Sequence, residues 1–447
     1  MVSKQDPPAA IIAGCEAARQ DERSVEAVRE LEDLGENRAM RKPLIALAIS
    51  AFGIGTSEFI IVGLLPDLSR SLAVSIPKAG VLVTAYALSV TLGSPWVALV
   101  LARTERRRAL LTLMGMFLAG NALCALSSSF GLLLGARILT ALCHGAFFGI
   151  GSIVAANVVP REERSRAIAL MFSGLTLANV LGVPAGTALG QHFGWRAPFW
   201  ALIPIGLLAG FGLYRMLPSQ PAEKVHLKHE FHAVLRPQVQ LVLAMSTLSS
   251  VSLFCVFTYI APILETVTHL SPHAVTSVLV VFGVGITLGN LVGGRLSDWR
   301  QMPVILTGIV LLIVIFVLMP LSESAMAPAV AMVFVWGFVQ FAAGAPLQSR
   351  IVDQATGAPN LASTLNQGAF NLGNALGASL GGIVLTMGFG YRSLSFASAA
   401  VATVGLVVAL LAWRMEAKDA RRAGPTFDGS DGLDLGAARR RRGIGGQ

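Results

Sequence analysis

Apolar runs long enough to cross a bilayer recur twelve times along this chain, at residues 44 to 65, 78 to 101, 109 to 127, 131 to 158, 167 to 190, 196 to 216, 236 to 262, 273 to 297, 303 to 320, 326 to 349, 360 to 386 and 392 to 414. A helix needs about 17 to 25 mostly apolar residues to span the hydrocarbon core. In lipid every backbone N–H and C=O must find its partner inside the protein, so runs of this length are read as helices. The chain therefore reads as an all-α membrane protein. Its composition agrees, with 54% hydrophobic and only 13% charged residues, against roughly a quarter charged in soluble domains.

The polar breaks carry the topology. Assigning them alternately to two sides, with the N-terminus inside, puts 29 of the 34 Lys and Arg residues inside. Four (Arg70, Lys78, Arg196 and Arg392) fall outside, and Arg137 lies within a span. This bias is the positive-inside pattern, which predicts both termini in the cytoplasm. The net charge of +9 is then a mark of topology and not of nucleic-acid binding. Residues 1–42 read as a cytoplasmic extension and residues 415–447 as a disordered tail whose Arg run meets anionic membrane lipid. Between them lie two bundles, 43–216 and 237–414, joined by a cytoplasmic linker, 217–236. His226, His229 and His232 step along that linker as solvated side chains. Cys15, Cys124, Cys143 and Cys255 show no paired spacing, so neither disulfides nor a metal is expected. There is no phosphate-binding Gly loop and no nucleophile with base and orienter, so the chain is not read as an enzyme and no cofactor is expected. The protein is expected to act as a monomer.

The two bundles repeat one another. A shift of 195 residues aligns "LANVLGVPAG" at Leu177 with "LGNALGASLG" at Leu372. A shift of 196 aligns "TLG" at Thr91 and Thr287, Pro66 with Pro262, and "FGWR" at Phe193 with "FGYR" at Phe389. One insertion reconciles them. Six spans per repeat is an even number, so both halves share one orientation, and a substrate is expected midway between them.

An ionisable group deep in a bilayer costs at least about 2.5 to 3.5 kcal/mol on insertion scales, which makes it a functional candidate. Glu58, in "GTSEFIIVGLLP", is the one deep acid and Arg137 the one deep base. By helical rise they lie roughly 10 Å and 9 Å from the outer ends of their spans, at one height. A static ion pair would explain both charges. A proton site would too, because burial disfavours a charged carboxyl, a guanidinium favours it, and any movement that alters their surroundings exchanges the proton. His144 follows Arg137 by two turns on nearly the same face, and the repeat sets Gln340 opposite it. Asn366, Gln367, Asn371 and Asn374 add amides in the eleventh span. Such a cavity suits uncharged or weakly polar small molecules. Two ladders of small residues, Gly174, Gly182, Gly186, Gly190 and Gly373, Gly377, Gly381, predict close helix contacts, and Pro184 interrupts the first.

These motifs resemble the major facilitator superfamily, within it the drug:proton antiporter branch and its arabinose-efflux-permease-like, sugar-efflux and chloramphenicol-efflux members. The resemblance runs from about Arg41 to Arg414. "GTSEFIIVGLLP" is similar to the acidic first-helix motif and "GARILTALCHGAFFG" to the fourth-helix motif whose arginine, here Arg137, serves proton coupling. "GLTLANVLGVPAG" resembles the antiporter motif, with Gly182, Pro184 and Gly186 in a slightly altered order. The loop motif after the second helix is degraded, with Ala102 in place of its aspartate, although Arg103, Arg106 and Arg107 remain. The second-half copy, "GRLSDWR", keeps Asp298, and the resemblance implies that latching of the halves rests more on that residue. It also implies a fold of two six-helix bundles and a proton-coupled exporter of a sugar, nucleoside or chloramphenicol-like drug. The alternative is an uncoupled facilitator with Glu58 and Arg137 as a structural pair.

Overall fold

A computed structural model describes residues 42–160, 163–221, 235–355 and 359–423. The N-terminal extension, the linker histidines and most of the tail lie outside these. Among the described residues twelve helices are long and apolar enough to span a membrane: α1 Lys42–Ser71, α2 Ile76–Leu101, α3 Arg106–Leu126, α4 Phe130–Asn157, α5 Arg166–Phe193, α6 Ala197–Met216, α7 Pro237–Thr266, α8 Pro272–Ser297, α9 Gln301–Ser322, α10 Met326–Gln354, α11 Leu361–Thr386 and α12 Ser393–Lys418. Several outrun the apolar stretches that predicted them. α1 continues six residues past Leu65, where Asp67 and Arg70 pair at 2.7 Å on an exposed turn. α10 carries Arg350 inside the helix, buried against Glu416 at 2.9 Å.

Prolines mark the irregular turns. Pro262 lacks an N–H and its ring crowds the carbonyl four residues back. That carbonyl belongs to Thr258, where α7 breaks into Pro237–Phe257 and Ile260–Thr266. In α5 the residue four before Pro184 is Val180, which sits in a π-helical turn, Ala178–Gly182.

The glycine ladders pack as their spacing requires, and they do so twice. On α5, Gly174 lies against the Ala48 carbonyl, Gly182 against Thr56 and Gly186 against Ile60, while Leu175, Ala178 and Thr187 of α5 meet Gly55 and Gly63 of α1, so each helix packs its glycines against the other. On α11, Gly377 lies against Val251 and Gly381 against Cys255 and Tyr259 of α7. Thr56 with Val251, and Ile60 with Cys255, are residues related by the same shift of 195 as their glycines, so the repeat extends to the contacts. A Cβ at Gly377 would stand 2.6 Å from the Val251 carbonyl oxygen and 3.0 Å from the Cys255 nitrogen, both backbone atoms that a rotamer change cannot move. Gly377→Ala is expected to destabilise the protein by about 1 to 3 kcal/mol, read as a lower unfolding temperature in detergent. Gly135→Ala is the control, because no atom lies within 4 Å of a Cβ there.

Within each half the same neighbours recur: α2 with α4 and α8 with α10, α3 with α6 and α9 with α12. Between the halves α2 packs on α11 and α5 on α8, two contacts that exchange when the halves are interchanged. The fold is thus two six-helix bundles related by a parallel repeat. The loops after even-numbered helices define one end of the bundle, here called the basic end. At the other end the halves meet closely. Gln191 bonds the Pro272 carbonyl at 2.9 Å, Thr84 and Ser379 hydroxyls lie 3.3 Å apart, and Tyr259 fills the space between Gly80 and Gly382. The join continues inward to Thr91, whose hydroxyl reaches the Gly368 carbonyl at 3.4 Å.

Candidate functional site

Glu58 occupies the stretch of α1 that the α5 glycines admit between Thr56 and Ile60. It is buried, as are Arg137 and His144 of α4 and Tyr86 of α2. The structure brings these four groups together. Arg137 is fully buried, and its two terminal nitrogens donate to adjacent backbone carbonyls of α1: one to Ser57, the other to Glu58 at 2.9 Å. A helical carbonyl retains a second lone pair after its own helix bond, so α1 can accept both without unwinding. The guanidinium also lies over the Tyr86 ring, 4.1 Å from its centroid.

The static ion pair, one of the two readings of these buried charges, is not the contact that the side chains make. Arg137 and Glu58 are neighbours, but the hydrogen bonds join the guanidinium to the backbone of Glu58 and not to its carboxylate. The carboxylate faces His144 instead, with Oε2 3.7 Å from Nδ1. The same nitrogen lies 3.2 Å from the Tyr86 hydroxyl. The planar fork of Arg137 reaches carbonyls that point along the helix, and this leaves the Glu58 side chain free to point elsewhere.

It points between the halves. Glu58, Phe59, Val62, Val83 and Tyr86 line one cavity together with Phe254 of α7 and Asn374 of α11. Phe59 and Phe254 approach across the same space, with ring centroids 6.2 Å apart. The deep carboxyl is therefore one wall of a mostly apolar and aromatic space whose opposite wall belongs to the other bundle.

The remaining predicted residues are distributed differently. Asn374 lines this cavity, while Asn371, one turn away, donates to the Gln367 carbonyl at 3.1 Å and keeps a buried amide oxygen without a partner. Gln340 is committed to its own half, where its amide nitrogen lies 3.0 Å from the Ser249 hydroxyl. Asn366 bonds Gln348 at 2.7 Å, and Gln348 bonds Ser363 at 2.7 Å, forming a separate polar cluster in the second half. Gly182 and Gly186 seat α1 beside the acid, and Pro184 follows the π turn between them. The loop residues lie at the basic end. Arg103 is exposed, Arg106 is buried with its amide bonded to the Gln220 carbonyl at 3.0 Å, and Arg107 lies over Tyr214 at 4.7 Å. Asp298 is in the turn that ends the eighth helix, and its side chain is outside the described atoms.

Two residues escaped sequence reasoning. Tyr86 was one of four tyrosines in the chain, and a phenol inside a span was the signal that could have singled it out. Glu323 sits one residue past α9, where a loop acid draws no notice, yet it is only 3% exposed and 3.9 Å from Arg392. Burial pushes its carboxyl up to about 7 against the pull of Arg392.

Comparison with known proteins agrees with this architecture. The sequence pattern of the Major Facilitator Superfamily matches residues 47–360. The inner membrane transport protein YdhP of Escherichia coli K12 is 45% identical over 84% of this chain and 96% of its own. A chloramphenicol resistance protein of Streptomyces lividans is 35% identical over 83% of this chain and 96% of its own. Among solved structures, a bacterial homologue of the human lysosomal transporter Spinster, inward-facing and unoccupied, superposes with a TM-score of 0.70 at 18% identity, covering 85% of this chain and 98% of that one. Twelve spans in two repeated bundles, the family pattern over residues 47–360 and relatives matched over nearly their whole length identify a membrane transporter of small solutes: this chain belongs to the Major Facilitator Superfamily.

Proposed function

We propose that the protein is a proton-coupled exporter in the inner membrane, exchanging protons for a small polar solute or drug by alternating access. The observation that carries this reading is the position of Glu58. A carboxyl buried in one bundle and lining a cavity whose far wall is the other bundle changes its surroundings whenever the bundles move. Such a group takes up a proton in one arrangement and releases it in another. Arg137 holds the backbone of Glu58 in place, and His144 lies beside the carboxylate as a proton relay or a solute ligand. The static-pair alternative finds less support, because the guanidinium spends its bonds on α1 carbonyls.

The charge bias puts the basic end in the cytoplasm, so the joined end faces outward in this state. Phe59, Phe254 and Tyr86 with the Asn374 amide suit an uncharged solute carrying an apolar face and a few polar groups. The chloramphenicol resistance relative points to drugs of that kind. The test is transport of chloramphenicol and a set of sugars and nucleosides in proteoliposomes under an imposed pH gradient. Solute should accumulate on the acidic side, and a protonophore should abolish the accumulation. Equal transport with and without the gradient would make the protein a facilitator.

A further inference from the structure

The joined end of the molecule sets two histidines from opposite halves against each other. His192 lies in the last turn of α5 and His273 in the first turn of α8. Their ring centroids are 4.8 Å apart and their planes 33° from parallel. Gln191, next to His192, donates to the carbonyl of Pro272, next to His273, at 2.9 Å and accepts from the Thr276 hydroxyl at 3.0 Å. These two bonds fix the register of α5 on α8 at the imidazoles, while both histidine side chains are exposed and able to turn.

Imidazole nitrogen is a good ligand for divalent zinc, copper and nickel. Two nitrogens on one tetrahedral zinc ion, each at about 2.0 to 2.1 Å, stand roughly 3.4 Å apart. Rings with centroids 4.8 Å apart stand close enough for one nitrogen of each to approach a shared ion. We propose that His192 and His273 form a site for a divalent transition-metal ion, completed by water, which clasps the two halves at this end. Each half supplies one ligand, so the ion binds the joined arrangement and not one in which α5 and α8 part. Binding then favours the joined state in proportion to that difference. Alternating access requires the halves to separate here, so a bound ion arrests the cycle. The arrest rests on the alternating access proposed above, and is independent of which solute moves and of proton coupling.

The test uses the full chain in detergent with His226, His229 and His232 replaced by Asn, so that the linker does not report. Titration with zinc alone, followed by calorimetry, should show one site. His192→Asn and His273→Asn should each weaken it at least about tenfold, and His269→Asn should leave it unchanged. Zinc should also raise the unfolding temperature of the parent and of neither single variant. A parent that binds no zinc, single variants that bind as the parent does, or a loss confined to His269→Asn would overturn the site. Binding without the thermal shift would overturn the clasp.

Discussion

Glu58→Gln is expected to bring gradient-driven transport down to the level of protein-free liposomes while leaving the protein folded. Glutamine keeps the shape of the protonated acid but cannot release a proton. It also removes the cost of ever charging this site, about 2.5 to 3.5 kcal/mol or more at membrane depth, so stability should hold or rise. The contacts that seat α1 do not use the carboxylate: Arg137 binds the Glu58 carbonyl, and the α5 glycines face Thr56 and Ile60. Exchange of solute with no gradient, which needs no net proton movement, should persist in the variant. Measuring both modes in one preparation separates coupling from folding. Accumulation by Glu58→Gln under a pH gradient would show that the proton travels elsewhere, with His144 the next group to replace.

Much of the fold was legible in the sequence because a bilayer leaves few choices. Apolar runs of spanning length have to be helices, and the 195-residue repeat fixed which contacts would recur, down to Gly182 on Thr56 and Gly377 on Val251. Helix ends were less legible, since hydropathy falls where a helix enters the headgroup region while its hydrogen bonds continue; α1 and α10 extend past their apolar stretches for that reason. The site was legible as a height but not as a set of bonds. Spacing along α1 and α4 placed Glu58 and Arg137 at one level, yet helix rotation decides which atom faces which. The guanidinium met carbonyls, and the carboxylate met His144. The repeat likewise paired Gln340 with His144 by position, but Gln340 turned to Ser249 inside its own bundle. A repeat constrains backbones more tightly than it constrains polar side chains, which follow the partners each half happens to offer.

Arg137→Lys is the substitution expected to show what the guanidinium does beyond carrying charge. Lysine keeps the positive charge but has one compact ammonium in place of a planar fork, and it is more strongly hydrated. It cannot bond the Ser57 and Glu58 carbonyls together while lying flat on Tyr86. Losing one hydrogen bond to a charged group costs about 1.5 to 3 kcal/mol, and losing a desolvated cation–aromatic contact costs up to about 2 kcal/mol. Stability is therefore expected to fall by about 2 to 4 kcal/mol on these two losses, seen as earlier unfolding in detergent. The larger effect is on transport. The two carbonyls belong to Glu58 and the residue before it, so the fork sets where the carboxyl stands relative to the cavity and His144. Releasing it should slow gradient-driven transport at least about tenfold, the scale on which small misplacements of a reacting group act, at temperatures where the variant is still folded. Tyr86→Phe serves as the comparison, because it keeps the ring beneath the guanidinium and removes only the hydroxyl near His144. If Arg137→Lys transports at the rate of the parent, charge alone suffices at this position and the bonds to α1 do no more than hold two helices together.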